Sequence, residues 1–260
     1  MTQVESPAAP GRTPQPLPPG FRVVLWLFVP LFMLSVGVLI GIIVATRSGL
    51  MQPRGAAPDQ ASGTFDPLRP DSGLESFRIP AFDLVDQSGQ RHSLDLFRGR
   101  VTIVGFVFTN CPLACPAMTA QMASLQQALK DTTVRLASIS LDPEHDTPAI
   151  LKAYGENVGA DFTRWVFLTQ PDAGTKLPPD KVWSRRILVE SLKMHVALDS
   201  NVEIPLADGS TMVNIVHPTR LFLVGDNGQV LGTYDTKDMT DMRAMQDRAR
   251  RASVALTIRP

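Results

Sequence analysis

The run Val101 to Phe108, VTIVGFVF, constrains the fold more than any other stretch of this chain. A strand with one wet face alternates apolar and polar residues. A continuous apolar, β-rich run suits a central strand covered on both faces. The next segments fit that layered arrangement. Met118, Met122, Leu125 and Leu129 recur at helical spacing and predict an amphipathic helix from about Pro116 to Lys130. Val134 to Leu141 reads as a second buried strand. Thr147-Pro148 supplies an N-cap and a first-turn proline for a helix through Tyr154.

Shorter signals fill in the rest. Ala81 to Val85 and the Asp86-Gln87-Ser88-Gly89 turn predict a hairpin strand, and Ser93 to Phe97 one helical turn. Trp165 to Leu168 reads as a strand and Lys181 to Val189 as a helix. Met194 to Met212 is the least legible part, expected as a hairpin insertion. Arg220 to Val224 and Val230 to Tyr234 flank an Asp226-Asn227-Gly228 turn, which makes them antiparallel. Asp238 to Arg251 closes the chain with a helix. Parallel strands need crossovers, so strand–helix–strand–helix followed by a hairpin and a helix implies a mixed sheet.

The only two cysteines in 260 residues come directly after the first long strand, in Thr109-Asn110-Cys111-Pro112-Leu113-Ala114-Cys115-Pro116. Two cysteines cannot build a disulfide framework. They can pair with each other or share one soft metal ion. A redox-type motif at this point of such a sheet is the thioredoxin arrangement, a three-layer α/β/α domain. The motif then lies at a helix amino terminus, which favours a thiolate. Residues at i and i+4 have Cβ atoms about 5–6 Å apart, wider than the roughly 3.8 Å of a disulfide. That spacing suits a bridging metal, and reversible oxidation stays open.

Two thiolates leave a metal short of ligands. Of His92, His145, His195 and His217, the last precedes Pro218-Thr219 and the apolar run Leu221 to Val224. In a thioredoxin-like fold that loop faces the cysteines, so His217 is the expected third ligand. His92 and His145 read as solvated, His195 as ambiguous, and Met118 and Met122 as core. Two sulfurs and one imidazole form a soft trigonal set that suits copper, as Cu(I), or as Cu(II) with an added oxygen.

Val23 to Thr46 carries no charge over 24 residues, enough at about 1.5 Å per residue to cross roughly 30 Å of hydrocarbon. It is too long for a signal-peptide core of about 7–15 residues and is expected to be an uncleaved anchor. The expected organisation is a disordered cytoplasmic amino terminus at 1–22, a transmembrane helix at 23–46, a flexible Pro/Gly-rich linker at 47–76 and the folded domain at 77–260. The cysteine pair suits an oxidising face, which places the domain in a periplasm or an equivalent extracytoplasmic space of a single-pass cell-membrane protein. Lys+Arg and Asp+Glu balance at 25 each, with no basic block, so nucleic acid is not expected as a partner.

With these residues placed, the chain resembles the Sco/SenC family of membrane-tethered, thioredoxin-like copper chaperones. Phe108 to Pro116, Ser140 to Pro148, and His217 leading into Val224-Gly225-Asp226-Asn227-Gly228 carry the resemblance. It implies Cys111, Cys115 and His217 as copper ligands and delivery to the Cu(A)-bearing subunit of cytochrome c oxidase. Other copper chaperones or thioredoxin-like reductants are further expected partners. The protein is thus expected to be a metallochaperone rather than an enzyme. The alternative is a thiol–disulfide oxidoreductase acting on a partner through a redox-active Cys111–Cys115 pair. Two departures stand out. Val216 occupies a position where many members have Asp, and Pro218 stands where thioredoxins have a cis-proline.

Overall fold

The computed structural model describes residues 65–112 and 114–258, together with Met33, Ser35 and Val36. The expected amino-terminal segment, the transmembrane helix and the linker up to residue 64 lie outside the described residues, those three positions excepted. Among the described residues no helix is long and apolar enough to cross a membrane. The chain divides into two units, Met1–Thr64 and Phe65–Pro260. The second contains the sheet, its helices and the cysteine motif.

The strands are β1 (Leu84–Asp86), β2 (Arg91–His92), β3 (Thr102–Val107), β4 (Arg135–Ser140), β5 (Trp165–Thr169), β6 (Ala197–Pro205), β7 (Thr211–Val216), β8 (Arg220–Val224) and β9 (Val230–Asp235). The helices are α1 (Ala114–Ala128), α2 (Pro148–Asn157), α3 (Trp183–Glu190) and α4 (Met239–Thr257). Seven strands form one sheet in the order β2-β1-β5-β4-β3-β8-β9, and β6 and β7 form a separate pair. β3, β4 and β5 run parallel, whereas β8 is antiparallel to β3 and β1 to β5. The expected mixed α/β sheet is therefore present.

β3 lies in the interior of the sheet between β4 and β8, and its composition explains why. All six of its residues are buried. Successive strand side chains point to opposite faces, so both faces are covered. Gly105 lets β8 approach: a Cβ there would stand 3.0 Å from Leu221 Cδ2. β5 packs through Trp165 and Phe167, which stack with centroids 4.9 Å apart, and the Trp165 indole donates to Ser138 Oγ at 3.0 Å. Thr147 caps α2, accepting from the Ile150 amide, and Pro148 opens the helix.

Residues 65–76 depart from the expected flexible linker, because they are strapped to the domain. The Asp71 amide donates to the Leu231 carbonyl and the Ile79 amide to that of Gly228, both at 2.9 Å. Gln229 Nε2 reaches the carbonyls of Leu74 and Phe77. Arg248, only 6% exposed, donates to the carbonyls of Pro67 and Arg69 and to Asp71 Oδ1. The segment lies along β9 and occupies the outer side of that edge strand. The least legible stretch does form a hairpin, β6–β7, with a register break between Asp199 and Glu203. It ends at Val216, directly before His217.

Candidate metal centre

The site forms where β3 gives way to α1. Past Val107 the chain turns, with the Cys111 amide donating to the Phe108 carbonyl at 3.2 Å. The turn is held from outside by Asp146. That carboxylate accepts from the Thr109 amide at 3.2 Å, from Thr109 Oγ1 at 2.5 Å and from Ser140 Oγ at 2.5 Å. Burial pushes its pKa up to about 6, against the pull of the Ser140 and Thr109 hydrogen bonds. The polar composition of Asp142 to Asp146 suggests a solvated loop. Instead Asp142 and Asp146 are buried, because they close the end of a strand that is itself buried.

Cys115 lies in the first turn of α1 and is fully buried, while Cys111 is 9% exposed. No disulfide joins them. The Cys115 amide donates to Cys111 Sγ at 3.3 Å. The hydrogen bond to the Cys111 sulfur, followed by burial, drives the Cys115 thiol far above its ordinary pKa. This corrects the expectation that the helix terminus favours a thiolate at the motif. For Cys115, the hydrogen bond to Cys111 and desolvation outweigh the helix dipole. The unequal exposure makes Cys111 the outer sulfur. Iodoacetamide is expected to modify Cys111 at least about tenfold faster than Cys115, as read by peptide mass mapping. Equal rates would contradict the assignment of outer and inner sulfurs.

The distant imidazole arrives at the inner sulfur. His217 Nε2 stands 3.5 Å from Cys115 Sγ, across 102 residues of sequence. Its other ring nitrogen, Nδ1, lies 3.1 Å from the Pro218 carbonyl. A carbonyl only accepts, so Nδ1 carries a proton, and in the neutral ring Nε2 then presents its lone pair to the sulfur. The backbone thus supplies the orienting contact that an aspartate before the histidine could have made, and Val216 is left 42% exposed. Phe108 supports the ring edge-to-face at 5.9 Å between centroids. No cis peptide occurs among the described residues, so Pro218 does not share the thioredoxin trait.

Among the described residues, no group of three or more His, Cys, Asp or Glu side chains is arranged to hold a metal ion. The structure brings together Cys111 with Cys115, and Cys115 with His217. The other histidines stand apart. His195 is exposed. His92 and His145, expected to be solvated, are each bound to an aspartate, Asp86 at 2.8 Å and Asp142 at 2.7 Å. Met118 and Met122 are fully buried core residues. Thr109 and Asp146 belong to the site although sequence reasoning does not single them out. The available signal is two acidic residues placed at the end of a continuous apolar strand.

Comparison with known proteins fits this geometry. A family model described as SCO1/SenC matches residues 72–176. The chain is 33% identical over 168 residues to the SCO1 protein homolog of Bacillus subtilis, covering 64% of this chain and 77% of that protein. It is 35% identical over 123 residues to a Stutzerimonas stutzeri protein named as a candidate copper-binding protein, covering 46% of this chain and 57% of that one. Among solved structures it is similar to BsSco, a member of the Sco family of cytochrome c oxidase assembly proteins in which a disulfide switch was identified. That similarity has a TM-score of 0.53 at 31% identity, over 69% of this chain and 95% of the other.

Proposed function

Because the chain belongs to the SCO1/SenC family, we propose that it is a membrane-tethered copper chaperone that loads the Cu(A) subunit of cytochrome c oxidase. The single observation that carries the reading is the approach of His217 Nε2 to Cys115 Sγ at 3.5 Å. Copper binding named for one relative and oxidase assembly named for another support it. The ion is cargo, held by Cys111, Cys115 and His217. Two thiolates and a neutral imidazole form a soft donor set that suits Cu(I). The Nε2 lone pair already faces the sulfur, so the ring needs no change of tautomer to bind. Cys111 and His217 must close further on a common point.

Loading releases both thiol protons, because only thiolates ligate. Release begins at Cys111, the sulfur nearest solvent: a thiolate of the recipient binds the ion, and Cys111 leaves it as the ion changes hands. The uncharged run 23–46 anchors the domain on the extracytoplasmic side, and residues 47–64 supply the tether.

A second reading rests on the closeness of the two cysteines: the Cys115 amide donates to Cys111 Sγ. In it the pair reduces a disulfide of the partner. Cys111 and Cys115 give up two electrons and two protons, close their own disulfide and leave two thiols on the partner. Such closure leaves His217 alone and switches copper affinity off. The full chain in neutral detergent, reduced and loaded with Cu(I), should pass its copper to a reduced, metal-free Cu(A) domain. Retention of the ion by the wild type under those conditions contradicts delivery. Reduction of the oxidised Cu(A) domain without copper, unchanged by His217→Ala, supports the thiol reading instead.

A further inference from the structure

The opposite pole of the domain gathers arginines from three consecutive parallel strands. β3, β4 and β5 run in one direction, so their starting ends share one edge of the sheet, away from the cysteines beyond the far end of β3. Arg100 precedes β3, Arg135 opens β4 and Arg164 precedes β5. All three are half-buried. They line one hollow of about 310 Å³, which contains no acidic residue.

Among the described residues, the charges of Arg100 and Arg135 in this hollow have no acidic partner. Arg164 Nη2 donates to the carbonyls of Leu129 at 2.7 Å and Val134 at 3.1 Å, which fixes its plane without neutralising it. Among the described residues no carboxylate pairs with Arg100 or Arg135. Of the nearest acids in sequence, Asp131 holds Arg250, while Asp161 accepts from the Thr163 amide and hydroxyl and also feels the charge of Arg164. Burial and the charge of Arg100 both hold the Arg135 guanidinium below its ordinary pKa, although arginine stays charged in water. Partly desolvated like charges facing one another are unfavourable unless an anion sits between them.

We propose that Arg100, Arg135 and Arg164 form a binding site for a phosphate group, free in solution or on a lipid headgroup. Guanidinium forks match the oxygens of a tetrahedral oxyanion bidentately, and three positive charges suit a dianion. Thr132 and Thr163 line the hollow but donate their hydroxyl protons to the Leu129 carbonyl and to Asp161, so recognition rests on the guanidiniums. The site is separate from the copper ligands and holds whichever reading of the cysteines is correct.

The test is the thermal midpoint of the full chain in neutral detergent, with inorganic phosphate compared against chloride at equal ionic strength. Saturating phosphate should raise the midpoint by roughly 5 °C beyond chloride. Arg135→Gln should abolish that rise and, with repulsion relieved, should melt no lower than wild type when phosphate is absent. Arg100→Gln is the second variant, with the same expectation, should Arg135→Gln fail to fold. A second arm dopes the micelles with phosphatidylglycerol or phosphatidylcholine. A rise with the anionic lipid alone that Arg135→Gln removes assigns the site to a headgroup, and a rise with inorganic phosphate alone assigns it to the free ion. Equal midpoints in phosphate and chloride with no response to the anionic lipid overturn the proposal, as does a response retained in the folded variants.

Discussion

Cys115→Ser lowers the Cu(I) affinity of the reduced protein by about three orders of magnitude, and His217→Ala by about two. The scale comes from structural zinc sites, where four ligands contribute roughly 10–16 kcal/mol, about 2.5–4 kcal/mol each. Cys115 stands at the high end because it contacts both other members of the proposed set, Cys111 through its amide and His217 through its sulfur. The imidazole is neutral and carries no charge to the ion, so its loss costs less. Competition with a Cu(I) chelator measures both values. A Cys115→Ser affinity within about tenfold of wild type would remove the inner sulfur from the ligand set.

Asp146→Ala destabilises the domain by on the order of 3–5 kcal/mol, since it strands buried donors on Thr109 and Ser140 and opens the turn that carries Cys111. The isosteric Asp146→Asn isolates the electrostatic part through its pH dependence. In the folded chain the Asp146 carboxyl titrates at about 6, whereas an unfolded aspartate titrates near 3.9. Between those values the folded state holds a proton that the unfolded state has released, so stability falls as pH rises. The contribution is fully present below about pH 4 and lost by about pH 6. Roughly two units correspond to about 3 kcal/mol. Asp86, whose pKa is lowered by hydrogen bonds from Ser88 and His92 against desolvation, acts in the opposite sense but is common to both chains. Urea unfolding at pH 4, 5, 6 and 7 should therefore show wild type losing stability relative to Asp146→Asn across that window. Parallel curves would contradict the burial argument.

The parts of this fold that are legible from sequence are those written in local patterns. The unbroken apolar run of β3 declares a strand covered on both faces, and Thr147-Pro148 declares the start of α2. The cysteines are close in sequence and stand out at once. Other features depend on residues far apart or on competing forces. The Pro/Gly-rich stretch before Phe77 reads as linker because its clamp, Arg248, lies 177 residues beyond Asp71. The β6–β7 hairpin resists reading because its register breaks after Asp199 and leaves Val202 and Val213 exposed, which destroys the alternation. His92 and His145 look solvated in sequence, yet each faces an aspartate brought round by a tight turn. The Cys115 thiol shows the limit of a single-factor argument, since the helix terminus favours the anion but burial and the neighbouring sulfur oppose it more strongly.

X-ray absorption at the copper edge of the reduced, Cu(I)-loaded full chain tests the central claim most directly. The account predicts two sulfur ligands and one imidazole nitrogen, with the nitrogen scattering lost in His217→Ala and both sulfurs retained. A ligand shell of two sulfurs alone, identical in wild type and His217→Ala, would contradict it.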